Sequence, residues 1–475
     1  MKLEDPTVRR VLAAAVVVAL VVLFVGYEWL GWGGANDALQ RVAEGQVELR
    51  AIEGASTPWW QRLISLVGLG GLVGIAWLMS SDRKKFPARI VAWGLGLQLV
   101  FALFVLETRT GRRVFSFLND VVVGLLELTN EGSRFIFGDY LDMKFSFALN
   151  VLPTILFFSS LMTILYHLGV MQKAVSGIAW LMQRTMGTSG SETLSAAANI
   201  FVGQTEAPLV VKPYVATMTR SELNAIMVGG FATVAGGVLA AYVGMLRERF
   251  PDIAGHLIAA SVMSAPAALV IAKVMQPETE ESQTSGYRSL EVERVDVNVI
   301  DAAARGATEG LKLAFNVGAM LLAFLALVAL INVGIGLPVE AWNAMYGTSY
   351  EPWTLQEILG WVFWPISAMM GVPFEDCGSV GTLLGEKIVL NEFVAYAHLG
   401  EQLASDASSM QPRSMVIATY ALCGFANFGS IGIQIGGISA IAPERRSDLA
   451  KLGLRAMIGG TLAACMTATV AGLLL

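Results

Sequence analysis

Charged side chains are scarce: Asp, Glu, Lys and Arg make up 15 % of the 475 residues, where a soluble domain carries roughly a quarter. Basic residues are not in excess either. The formal net charge is −6, and no basic patch interleaved with aromatics occurs, which speaks against nucleic-acid binding. Histidine is limited to His167, His256 and His398. They lie far apart, and neither HExxH nor CxxC is present, so a structural or catalytic metal cluster is not indicated. The three cysteines, Cys377, Cys423 and Cys465, show no paired spacing and sit in apolar segments. They read as small buried hydrophobes. No Ser/His or paired-Asp constellation supports an intramembrane hydrolase, so the chain reads as something other than an enzyme.

What is present is apolar sequence in long runs. Hydrophobic residues make up 55 % of the chain. A low charged fraction alone is compatible with a large soluble core, but here the apolar residues cluster at 11–30, 64–79, 90–106, 147–168, 253–274 and 313–335. Runs of about 20 residues span a bilayer core as helices. They must be helical, because lipid offers backbone groups no partners, whereas membrane β-strands are short and alternating. The expected fold is an all-α polytopic membrane protein with about nine transmembrane helices, two re-entrant helical hairpins and an internal inverted repeat. The first run follows Arg9 and Arg10 but lacks a clear small-x-small cleavage site, so it reads as a retained helix rather than a secretory signal.

Basic residues orient the chain. Residues 81–89 contain Arg83, Lys84, Lys85 and Arg89 between two spans and should face the cytoplasm. Two crossings earlier, Arg9 and Arg10 place the N-terminus on the same side, and residues 33–58 outside. The stretch 112–137 carries Asp120, Glu127, Glu131 and Arg134 at helical spacing. It suits a helix lying on the membrane surface or one packed on the protein itself. Residues 276–299 are the most polar segment and read as an exposed loop joining two halves. The expected organisation is an extra N-terminal span and external loop (1–62), scaffold helices with the amphipathic helix (63–186), a first hairpin with its following spans (187–275), the polar loop and a long scaffold helix (276–345), and a second hairpin with the last two spans (346–475).

Two regions break the rule of clean apolar spans. Residues 189–215, punctuated by Gly203, Pro208 and Pro213, precede a span at about 221–246. Residues 355–399, punctuated by Gly371, Pro373 and Gly378, precede a span at about 414–438. Each fits a hairpin of two half-helices, tolerated where backbone lines a protein cavity. They echo each other: Glu206 is followed by Gly230-Phe231-Ala232-Thr233, and Asn391-Glu392 by Gly424-Phe425-Ala426-Asn427. Interrupted helices in matching positions of two halves point to a transport site.

An acid inside an apolar segment costs a few kcal/mol on insertion scales, so Glu206 and Glu392 are functional candidates. The competing reading is a carboxylate placed at a half-helix N-terminus for stability. Gln204 and Thr205 add donors and acceptors, and Asn427 and Ser430 share a helix face, unless they serve as interhelical glue. Carboxylates and an Asn suit vicinal hydroxyls, and Gln with Thr suits a base edge. No Arg or Lys cluster favours an anionic substrate. Asn199, Thr233 and freed carbonyls near Val202 and Val234 offer hard oxygen ligands for a cation, or else ordinary capping and back-bonding.

Four stretches carry a family resemblance: Asn199-Ile200-Phe201-Val202-Gly203-Gln204-Thr205-Glu206-Ala207-Pro208-Leu209, the run 229–236, Leu390-Asn391-Glu392-Phe393-Val394-Ala395-Tyr396, and the run 423–434. In that order they resemble the signatures of concentrative nucleoside transporters, from about residue 63 to the end of the chain. The resemblance implies uptake of nucleosides such as uridine, cytidine and adenosine, driven by Na⁺ or protons. It implies a homotrimer with a scaffold and a mobile transport domain that moves like an elevator; the size of the chain suggests a bacterial inner membrane as the plasma membrane it occupies. By the family pattern Gln204, Thr205, Glu206 and Val238 face the nucleobase, Phe425 packs near it, and Glu392, Asn427 and Ser430 hold the ribose hydroxyls. Asn199, Thr233 and the carbonyls of Val202, Thr233 and Val234 form the sodium site. The intact Gln-Thr-Glu-Ala-Pro run and the Thr233 hydroxyl favour Na⁺ over a proton as the coupling ion. The span 11–30 is additional to short bacterial members.

Overall fold

The computed structural model describes residues 57–143, 146–284, 296–404 and 410–475. The expected span 11–30 and almost all of the loop 33–58 lie outside the described residues. Among the described residues every regular element is helical.

Helices α1 (Trp59–Leu78) and α2 (Ala88–Glu107) are joined by the basic loop and followed by α3 (Arg109–Phe137). Thr108 starts α3, its side chain accepting from the Gly111 amide at 2.9 Å. One face of α3 packs on the protein: Phe115 meets the His256 ring edge-on, and the Asn119 side chain accepts from the Gly255 amide at 3.3 Å. Its other face leaves Phe117, Leu128, Phe135 and Ile136 exposed. After a π-turn come α4 (Leu152–His167) and α5 (Val170–Met186).

The next segments build the first half of the core. Helix α6 (Gly190–Ala198) starts with a Ser189/Glu192 capping box and stops at Asn199. The chain turns over through residues 199–206 and returns as a 3-10 turn, Ala207–Val211, and a single helical turn, Lys212–Val215. Helix α7 (Arg220–Ala232), opened by a Thr219/Glu222 capping box, breaks at 233–235 before α8 (Gly236–Leu246). Helix α9 (Ile253–Met275) completes the half.

Helix α10 (Val299–Tyr346) is far longer than the apolar run at its centre. The Asn298 side chain caps its start on the Asp301 amide at 2.9 Å, and Gly347, with φ at 66°, ends it. Between these caps Arg305 reaches back to Asp296, extending the helix in polar sequence. The Arg305 guanidinium, donating to both carboxylate oxygens, holds the Asp296 carboxyl below its usual range. Glycines let α10 approach α4: a Cβ on Gly310 would meet the Leu156 Cα at 2.9 Å, the small-residue contact common between membrane helices.

The second half repeats the order of the first. Helix α11 (Leu355–Met369) turns through Gly371 into α12 (Cys377–Val389). A break at Leu390-Asn391 leads to α13 (Glu392–Ala404). Helix α14 (Pro412–Leu422) breaks through residues 423–427 before α15 (Phe428–Ile441), and α16 (Arg446–Leu474) closes the chain.

Seven helical units among the described residues are long and apolar enough to cross a membrane, and Phe428–Ile441 is a shorter apolar helix. Burial separates two kinds: in the apolar stretches of α9 and α16, 89 % and 94 % of the residues are buried, whereas in that of α10 11 % are, and its apolar surface turns outward.

Four sequence expectations change. The spans at about 221–246 and 414–438 are each built of two half-helices that meet at a break, although Arg220–Leu246 as a whole is long and apolar enough to cross a membrane. The second hairpin breaks at Leu390-Asn391, not at the glycine-proline cluster; Gly371, with φ at 83°, instead forms the turn between α11 and α12. The Gly-Phe-Ala echo is out of structural register. Residues 230–232 lie inside α7, but 424–426 lie in the unwound stretch before α15. Finally, the described part of the polar loop is not simply exposed. Ser282 and Thr284 fold back and donate to Glu222 at 2.6 and 2.9 Å, which satisfies a carboxylate that already caps α7.

The two broken helices cross at their breaks. Gly424 has φ at 147°, and a Cβ there would lie 2.8 Å from the Phe231 carbonyl oxygen and 3.0 Å from the Ala232 carbonyl carbon. Neither backbone can give way. Gly424→Ala is therefore expected to destabilise the protein by about 1–3 kcal/mol through overpacking and backbone strain. A thermal melt of the purified protein in detergent checks this; an unchanged melting temperature would count against the close crossing.

Candidate functional site

At this crossing the breaks bring together most of the residues singled out by sequence. Gln204, in the turn after α6, donates from its amide to the Ser430 hydroxyl at 3.2 Å. Ser430 lies in the first turn of α15, whose N-cap is Asn427; the Asn427 carbonyl oxygen accepts from the Ser430 amide at 2.8 Å. That cap orients the rest of Asn427, so that its side-chain amide donates to Glu392 Oε2 at 3.1 Å. Glu392 is the first residue of α13, where the helix dipole favours a negative charge. Its other oxygen, Oε1, accepts from the Tyr242 hydroxyl at 3.0 Å. One connected set of polar groups thus runs from Gln204 through Ser430 and Asn427 to Glu392, all of them buried.

Tyr242 and Gln434 are the members sequence reasoning missed. Tyr242 is fully buried in α8 and stacks on Tyr396 at 4.4 Å between ring centroids. Val238 lies one turn earlier on α8 and is buried, so the two share a face. Gln434, also fully buried, donates to the Gln204 carbonyl oxygen at 3.0 Å and to the Met227 carbonyl at 3.1 Å. A buried Gln in the otherwise apolar α15 was the available signal, since an amide there needs partners. Phe425 lies in the α14–α15 break and is 9 % exposed.

Thr205 and Glu206 stand at the edge of this set. Thr205 packs against Gly437, where a Cβ would come within 2.7 Å of its methyl. Its hydroxyl donates to Glu206 Oε1 at 3.0 Å. Glu206 is exposed and, among the described residues, has no hydrogen bond to the Glu392 group. Tyr166 of α4 and Glu309 of α10 lie near enough to act on its charge.

Two of the proposed cation ligands, Asn199 and Thr233, lie against Gly229. Thr233 donates its hydroxyl to the Gly229 carbonyl at 2.8 Å. A Cβ on Gly229 would sit 3.3 Å from the Asn199 side-chain nitrogen. Asn199 donates that amide to the Ser195 carbonyl at 3.1 Å, and its carbonyl oxygen is buried without a hydrogen-bond partner. Such an oxygen is costly unless something binds it. Val202 and Val234 lie in non-helical backbone, where carbonyls are free of the helix ladder. The Gly236 amide, just after the α7 break, donates to the Phe201 carbonyl at 3.1 Å, and the Ser261 hydroxyl of α9 holds the same turn from the other side, donating to the Ile200 carbonyl at 2.8 Å.

Comparison with known proteins decides the family. Three family models match in series: Na⁺ dependent nucleoside transporter N-terminus over residues 67–140, nucleoside recognition over 148–249, and Na⁺ dependent nucleoside transporter C-terminus over 256–472. An uncharacterized transporter of Haemophilus influenzae is 45 % identical over 417 residues, covering 86 % of this chain and 97 % of that protein. The chain belongs to the concentrative nucleoside transporter family. Among vertebrate relatives, Solute carrier family 28 member 3 of Eptatretus stoutii is 44 % identical over 87 % of this chain; the chain spans 60 % of that longer protein. CNTnw, solved in an inward-facing substrate-bound state, is 44 % identical, with a TM-score of 0.79 over 87 % of this chain and 97 % of that one. The family's members are transporters rather than enzymes, and membership with the apolar helices above makes this chain a multi-pass membrane protein.

Proposed function

We propose that the protein is a secondary active symporter that imports nucleosides together with Na⁺. The observation that carries the reading is the buried set Gln204–Ser430–Asn427–Glu392. It places an amide beside a hydroxyl, a side-chain amide and a carboxylate at the crossing of two broken helices, the donors and acceptors that a base edge and a ribose diol present in complement. Gln204, Thr205, Glu206 and Val238 meet the base with Phe425 packed near it; Glu392, Asn427 and Ser430 take the hydroxyls.

The Asn199 carbonyl oxygen, buried without a partner, supports a Na⁺ site completed by Thr233 and the carbonyls of Val202, Thr233 and Val234. All are oxygen donors, as a hard cation requires. Sodium there orders the turn that carries Gln204, so coupling is reciprocal: each ligand tightens the other. Access alternates by an elevator-type movement of the first and second hairpins, with their broken helices, against α4 and α10. Both outward- and inward-facing states of CNTnw have been solved, which supports alternating access here. The outward apolar surface of α10 suits lipid and the contacts of a homotrimer. The protein sits in a bacterial inner membrane with its N-terminus and the 81–89 loop cytoplasmic.

Equilibrium binding of radiolabelled uridine to purified protein, with Na⁺ or choline, tests the site. Binding that rises with Na⁺ is expected. Binding that ignores Na⁺ but strengthens at low pH would instead favour proton coupling. Thr233→Val removes one ligand while keeping the shape, and is expected to raise the Na⁺ concentration for half-maximal binding by about tenfold, the worth of one hydrogen-bond-scale interaction. An unchanged sodium dependence would remove Thr233 from the ion site.

A further inference from the structure

Lys387 has no exposed surface at all. It lies in α12, less than one turn before the break at Leu390-Asn391. Its ammonium donates to the carbonyl oxygen of Ala421 at 2.8 Å. Ala421 is the penultimate residue of α14, whose last carbonyls have no partner within the helix and carry its negative end.

The other buried lysine provides the contrast. Lys273 has Glu192 at 2.6 Å and Glu278 at 3.3 Å, and donates to Ser221 at 2.8 Å. Among the described residues no carboxylate lies within ion-pair distance of Lys387. A buried ammonium without a paired carboxylate costs several kcal/mol, and an ionisable side chain inside an apolar span points to function. Glu392 stands five residues on, just across the break, where its carboxylate accepts from the neutral side-chain donors Tyr242 and Asn427.

The two halves are built alike at this point. In the first half, the end of the short arm α6 meets the end of α7, which sets Asn199 and Thr233 against Gly229. In the second half, the end of α12 meets the end of α14, and the Lys387 ammonium is there already. We propose that Lys387 is the fixed cation of the second half, a positioning residue that clamps the open carbonyl end of α14 and provides the positive charge under which Glu392 grips the substrate's ribose hydroxyls. The ribose part rests on the nucleoside reading above.

The test compares equilibrium binding of uridine and 3′-deoxyuridine at saturating Na⁺, using the purified full chain, Lys387→Met and Lys387→Arg. The wild type is expected to prefer uridine by at least about tenfold, the worth of a charge-assisted hydrogen bond. Lys387→Met is expected to reduce that preference below about threefold, with 3′-deoxyuridine affinity nearly unchanged. Lys387→Arg keeps the charge and should keep the preference. A Met variant that weakens both ligands equally, leaving the ratio intact, would mark Lys387 as a helix cap alone and overturn the proposal. If the Met variant does not fold, loss of the preference in the Arg variant overturns it just as well. A wild type that binds neither ligand would instead reject the nucleoside reading.

Discussion

Glu392→Gln is expected to lower nucleoside uptake by at least about a hundredfold, roughly 3 kcal/mol, while leaving expression and the size-exclusion profile unchanged. The carboxylate accepts from Tyr242 and Asn427 on separate oxygens and has lone pairs left for hydroxyl donors. The amide is almost the same size, so packing persists. It replaces one acceptor oxygen with an NH₂, which can face the Tyr242 hydroxyl, since that oxygen also accepts, but which offers no lone pair to a ligand hydroxyl. The variant therefore loses the charge and one accepting side of the grip together. Uptake of labelled uridine by cells or vesicles measures the effect; uptake within a few-fold of wild type would remove Glu392 from the substrate site.

Asn199→Ala is expected to abolish stimulation by Na⁺ over the physiological range, a larger effect than that of Thr233→Val. Asn199 is the C-cap of α6, and its side-chain carbonyl is the buried oxygen without a partner. Alanine deletes that ligand and also the hydrogen bond that the side-chain amide donates to the Ser195 carbonyl, so both the ion site and the turn carrying Gln204 loosen. Basal, sodium-independent binding should remain measurable, because the Glu392–Asn427–Ser430 part of the site is built from other elements. The check is a sodium titration of uridine binding. A titration curve like that of the wild type would place the ion elsewhere.

The sequence announced some of this more clearly than the rest, for physical reasons. Gln204 to Glu206 stood out because three polar residues interrupt an apolar stretch flanked by Gly203 and Pro208. The break after α7 was legible only as freed carbonyls near Val234 beside the polar Thr233. Thr233-Val234-Ala235 itself contains neither glycine nor proline; it unwinds where Gly424 sets the second broken helix against Phe231 and Ala232 and the Gly236 amide bonds the Phe201 carbonyl, both contacts between residues distant in sequence. The second hairpin break was misplaced for the converse reason. Gly371 and Pro373 are strong local punctuation, but they mark the turn between α11 and α12, whereas Leu390-Asn391 carries little turn chemistry of its own. Tyr242 escaped notice because an aromatic on an apolar helix is ordinary core until its hydroxyl is seen on Glu392. Lys387 was a lone cation whose partner, a helix end, has no signature in sequence.

Sodium-driven import is measured as accumulation of labelled uridine in proteoliposomes under an inward Na⁺ gradient with equal pH on both sides. Uptake is expected to rise transiently above equilibrium, and this overshoot to disappear when K⁺ replaces external Na⁺. Uptake that only equilibrates, at the same rate in either salt, would contradict it.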